Sequence, residues 1–158
     1  MLQLAFLVGF FLATYAVTGL LRNASKSLRG RITLAVFFVL SGISHFLITE
    51  KMAQMLPPSV PMRMEIIYAT GVLEILGGIG LLLPKIRRIA AWALAAFLIG
   101  VLPANIYSAF AHVDFGGHAS GPVYLLLRIP FQIFLIAWTY YFGIKLTDTH
   151  SQHTMVPA

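Results

Sequence analysis

The run from Met64 to Leu83, MEIIYATGVLEILGGIGLLL, decides how the rest of the chain is read. As a helix it rises about 30 Å, the thickness of a bilayer's hydrocarbon layer. Its one mid-run charge, Glu74, would cost about 2.5–3.5 kcal/mol against lipid, so the carboxyl has to face protein or water. Gly71, Glu74 and Gly78 follow i, i+3, i+7 spacing. The carboxyl therefore lies on a stripe of small residues where a second helix can approach closely.

Composition extends this reading to the whole chain. Of 158 residues 59% are apolar and 10% charged, where a soluble domain carries about 25% charge; the mean hydropathy is +0.86. A water-soluble globule, a disordered chain and a repeat array are all excluded. The absence of cysteine removes disulfides, thiol chemistry, iron–sulfur clusters and Cys-based zinc sites. Apolar runs long enough to span occur at 1–21, 32–49, 64–83, 89–111 and 123–144, so the fold class expected is an all-α membrane protein with short connections and antiparallel neighbours.

The net charge of +6 is read as membrane topology and attraction to anionic lipid headgroups, with no nucleic-acid partner. Arg22, Lys26, Arg29 and Arg31, then Lys85, Arg87 and Arg88, then Lys145 fall in alternate connections. The remaining connections hold only Lys51 and Arg63. This places the N-terminus outside and the C-terminus in the cytoplasm, and Trp92, Trp138, Tyr140 and Tyr141 fall toward the same cytoplasmic interface. The first run lacks a basic region before its apolar stretch, so it is expected to be a retained helix and not a signal peptide. The sequon at Asn23 falls on the cytoplasmic side and is taken as chance. Pro57, Pro58 and Pro61 predict an extended, polyproline-like outer loop, 112–122 predicts a flexible outer cap, and the tail from Thr147 is polar.

Inside the last four runs the polar residues are His45, Glu74, Asn105, Arg128 and Gln132. Counting the helical rise from the outer ends puts His45, Asn105 and Arg128 about 6–9 Å deep and Glu74 about 15 Å deep. Tyr124, Arg128 and Gln132 recur every four residues on one face, and Pro103 removes a backbone donor just before Asn105. The expectation is a polar cavity in the outer half. A Glu74–Arg128 ion pair that only fixes helix register is the plain alternative. His45 and Glu74 are the candidate proton-transfer groups, and Asn105, Arg128, Gln132 and Tyr124 the candidate ligand-binding groups. For Asn105 and Gln132 the simplest role is interhelical hydrogen bonding. His112, His118, His150 and His153 lie in loop or tail positions, and their spacing supports a metal site only weakly, so no metal is expected. A bis-His haem, a nucleophile elbow, a zincin helix, a phosphate loop and a dinucleotide fingerprint are all absent.

The ordered set Gly42-Ile43-Ser44-His45-Phe46, Leu56-Pro57-Pro58, Val60-Pro61, Gly71 to Gly80, Pro103-Ala104-Asn105-Ile106-Tyr107 and Leu127-Arg128-Ile129-Pro130-Phe131-Gln132 resembles the DoxX and DoxX-like membrane proteins. The resemblance covers roughly 31–145. It implies an antiparallel four-helix transmembrane domain over 31–145, preceded by an additional transmembrane helix at 1–21 and followed by a polar tail at 146–158. It also implies links to membrane oxidoreductase complexes and, through the similar EXPERA proteins, lipophilic ligands held in an intramembrane pocket.

The function expected is thus an inner-membrane, multi-pass protein whose pocket binds a quinone or another lipophilic small molecule, with membrane lipids and oxidoreductase subunits as partners. No covalently bound cofactor is expected. Self-association and catalytic turnover are left open. A non-catalytic scaffold or assembly factor is the second expectation. A small transporter is the third, disfavoured by the scarcity of polar residues in the inner half and the lack of an inverted repeat.

Overall fold

The computed structural model describes residues 2–20 and 24–146, the side chains of 2–7 excepted. Arg22, the Asn23 sequon and the tail from Thr147, with His150 and His153, lie outside the described residues. All regular structure among the described residues is helical: α1 (Leu2–Thr18), α2 (Lys26–Leu47), α3 (Thr49–Ala53), α4 (Arg63–Gly80), α5 (Arg87–Gly100), α6 (Leu102–Phe110) and α7 (Leu125–Tyr140). A 3₁₀ segment, His118–Tyr124, leads into α7, and a π turn, Tyr141–Lys145, follows it.

Three continuous helical stretches are long and apolar enough to cross a membrane: Lys26–Leu47, Arg87–Phe110 and His118–Lys145. By length and composition this is a membrane protein. Helix α4, with 18 residues, rises about 27 Å and carries Arg63, Glu65 and Glu74, which sets it apart from those three. Helix α2 starts at Lys26, ahead of the expected residue 32, because Ser25 caps it. The Ser25 hydroxyl accepts the Leu28 N–H at 3.2 Å, satisfying one of the first-turn donors that a helix leaves open.

Small residues set how the helices meet. A Cβ on Gly42 would lie 2.6 Å from the Gly71 carbonyl oxygen, and one on Gly78 would lie 3.1 Å from that of Ala35. Helices α2 and α4 therefore run antiparallel at close approach along the stripe that holds Glu74. Gly77 faces Leu94 and Gly80 faces Ala90 across α4 and α5, while Gly143, just past α7, meets Ala91. Trp138 of α7 donates its indole N–H to the Gly30 carbonyl of α2 at 3.3 Å. Helix α1 covers α2 and α7 with Phe11, whose ring meets Phe37, Phe134 and Trp138 edge-on at 5.8, 5.4 and 5.0 Å. The apolar core gathers Phe11, Leu34, Phe38, Leu81, Leu94 and Leu135.

This pairing separates the charges. Lys26, Arg29, Arg31, Lys85, Arg87, Arg88 and Lys145 gather at one end of the helices, here the basic end. The acidic side chains of the described residues, Glu50, Glu65, Glu74 and Asp114, lie toward the other end or in the half next to it.

Two connections differ from their expected form. The proline segment turns tightly instead of extending: the Val60 N–H donates to the Pro57 carbonyl at 3.0 Å, with Pro58 in the second turn position, where a fixed φ is favourable. The segment 112–122 is a built cap. Gly116, Gly117 and Gly121 take φ of +64, +96 and +69°, a region open chiefly to glycine, and the 3₁₀ turn they allow carries His118 into the interior at 2% exposure.

Candidate functional site

In the half away from the basic end, α2 and α4 bring His45 and Glu74 together. The imidazole Nε2 stands 3.7 Å from Glu74 Oε1, with the two side chains 13% and 9% exposed. The close passage at Gly42 and Gly71 makes this possible, since a Cβ on Gly71 would sit 2.7 Å from the Cβ of His45. His45 Nδ1 lies 3.1 Å from the Ile67 carbonyl and 3.0 Å from the Thr70 hydroxyl oxygen. Because the Thr70 hydroxyl already donates to that carbonyl at 2.8 Å, Nδ1 must be the nitrogen that carries hydrogen. The lone pair of neutral His45 is then on Nε2, facing the carboxyl. Ser41, one turn earlier on α2, is a hydrogen-bonding neighbour of the same carboxyl.

The Glu74–Arg128 ion pair weighed as the plain alternative is absent among the described residues, where the carboxyl's close partner is His45. The spacing of each helix fixed the face of Glu74 but not which neighbour would rotate toward it. Arg128 acts from further away, its charge reaching Glu74, Tyr124 and His118 together. Tyr124 is buried at 4% exposure, with its ring 4.4 Å from that of His118.

Asn105 and Gln132 each commit an amide hydrogen to a backbone carbonyl. Asn105 Nδ2 donates to the Val101 carbonyl of its own helix at 3.1 Å. Gln132 Nε2 donates to the Leu98 carbonyl of α5, just before the break at Val101 that separates α5 from α6. Pro103 stands in the first turn of α6, and a helix interrupted there leaves nearby carbonyls short of donors. Gln132 thereby ties α7 to α5.

His118 was not among the expected site residues, because a histidine in a glycine-rich connection reads as a surface group. The three flanking glycines were the available signal. Its Nδ1 lies 2.7 Å from the Phe115 carbonyl, which makes Nδ1 the donor and leaves the Nε2 lone pair inward. His112, by contrast, is exposed and meets only the Ala119 carbonyl at 3.4 Å. No group of three His, Asp or Glu side chains converges among the described residues.

Four buried polar atoms in this half have no hydrogen-bond partner among the described residues: Glu74 Oε2, His118 Nε2, Arg128 Nε and Gln132 Oε1. Native interiors satisfy nearly all such atoms, and each one left open costs about 1–3 kcal/mol. Three such atoms and the Nε of Arg128 itself leave this half incompletely satisfied.

These features define a helical membrane protein with an incompletely satisfied polar interior. The chain belongs to a family described as a domain of unknown function, DUF8561, whose model matches residues 34–143. That match starts beyond α1 and includes every residue of the site. No curated protein and no solved structure matches the chain.

Proposed function

We propose that this is a DoxX-like protein of the inner membrane in which α2, α4, the α5–α6 stretch and α7 form an antiparallel four-helix transmembrane bundle. Helix α1 is an added spanning helix, the N-terminus lies outside and the basic end is cytoplasmic. The polar half then faces outward and binds a quinone or a comparable lipophilic small molecule, in association with membrane oxidoreductase subunits. The observation that carries this reading is the set of four unsatisfied buried atoms at Glu74, His118, Arg128 and Gln132. A ligand that satisfied them would recover what their burial costs. His45 and Glu74 supply a couple able to hold one proton beside that ligand, and Tyr124 with His118 supplies an aromatic wall.

Thermal unfolding of the purified protein against a panel of quinones and sterols tests the reading, since a ligand bound only by the folded state raises the midpoint. Selective stabilisation by some members is expected. A flat response across the panel would contradict it. The scaffold reading draws on the amides of Asn105 and Gln132, which are spent on backbone carbonyls. It predicts that Glu74→Gln impairs assembly and stability in proportion, with no separate loss of ligand response.

A further inference from the structure

Resting on the pocket reading above, we propose that the site recognises its ligand through hydroxyl groups that the ligand donates, and so prefers the dihydroxy form of a quinone-type ring to the dicarbonyl form. The polarity of the unsatisfied atoms carries this. Gln132 is held by a carbonyl oxygen, that of Leu98. Its NH₂ must therefore be the end that is used, and the oxygen that remains can only accept. His118 Nδ1 is fixed as the donor by the Phe115 carbonyl, so His118 Nε2 accepts as well.

Glu74 Oε2 accepts whenever the proton of the couple resides on His45 Nε2 or on the carboxyl oxygen nearer it. On His45 Nε2 the proton leaves an ionised carboxylate, and on Oε1, the oxygen nearer the imidazole, it leaves Oε2 as the carbonyl-type oxygen. Two fixed acceptors, Gln132 Oε1 and His118 Nε2, and the Glu74 carboxyl thus stand with the Arg128 guanidinium, whose Nε is buried and open. A ligand carrying only carbonyl oxygens could satisfy the arginine, and would set lone pair against lone pair at the other positions. A ligand with hydroxyl groups donates to these acceptors and still presents oxygen to the guanidinium. The backbone bonds that Asn105 and Gln132 make engage one amide hydrogen of each and turn the Gln132 oxygen to the open side.

The experiment measures Kd for two matched pairs on the full chain in detergent: decylubiquinol and decylubiquinone without oxygen, and dodecylphenol and its methyl ether. The second pair removes redox chemistry from the comparison. We expect the hydroxyl member of each pair to bind at least tenfold tighter, and His118→Phe to narrow both ratios. Equal or tighter binding of the quinone, or a methyl ether that matches the phenol, would overturn the inference while leaving a ligand pocket in place. Binding by none of the four would overturn the pocket reading along with it. Should His118→Phe fail to fold, the wild-type ratios still decide.

Discussion

The two halves of the helices carry polarity to different degrees. Toward the basic end the interior is mainly apolar: Leu34, Phe38, Leu81 and Leu94 are almost wholly buried, Trp138 has its carbonyl on Gly30, and two buried polar atoms, Arg29 Nε and Thr139 Oγ1, have no hydrogen-bond partner among the described residues. In the other half the same helices carry His45, Glu74, Arg128 and Gln132 inward, and four of the buried polar atoms found there stay unsatisfied. On α2 the change from Phe38 to His45 takes two turns, about 10 Å. Most of the unsatisfied polar interior therefore lies in one half, and on the reading proposed above a bound molecule relieves it.

Replacing Phe38 with Ala should have the largest effect on stability, about 3 kcal/mol from the cavity it opens, seen as a lowered unfolding midpoint with ligand response retained. Gly71→Val should cost about 1–3 kcal/mol, because its side chain would push against His45 and the Gly42 carbonyl. It should also weaken ligand response, since the same contact sets His45 beside Glu74. If Gly71→Val unfolded normally and bound normally, the two halves would not be joined by this seam.

How far the sequence foretold this contrast depends on what helical spacing encodes. Period and length located the apolar runs, and the i, i+3, i+7 pattern placed Glu74 on the glycine stripe that α2 occupies. Spacing along one helix says nothing about the rotation of its neighbour, so His45 and not Arg128 as the close partner of Glu74 was out of reach. Nor does it tell which end of an amide faces a backbone carbonyl, which decides whether Gln132 donates or accepts. His118 stayed hidden because its burial comes from three positive-φ glycines in a connection, where periodicity is silent. The early start of α2 was readable from Ser25, since a serine before a helical run is a capping signal.

Smaller changes sharpen the comparison further. Glu74→Gln keeps the shape of the side chain and should move stability by about 0.6 kcal/mol or less, the usual scale for one polar contact between membrane helices, while abolishing stabilisation by the ligand. Trp138→Phe removes the hydrogen bond to Gly30 but keeps most of the ring packing. It should cost about 0.5–1.5 kcal/mol and leave ligand binding unchanged, measured by the same thermal scans. A larger stability loss in Glu74→Gln than in Phe38→Ala would mean that the polar half is the structural lock.

The most direct test is native mass spectrometry of the wild type beside Glu74→Gln, both extracted gently from the membrane in which they were made. A small-molecule adduct should appear on the wild type and vanish from the variant, with the variant's unfolding midpoint within a few degrees of the wild type's. A bare wild-type chain, or an adduct equally present on both proteins, would contradict the assignment of this polar interior to a ligand.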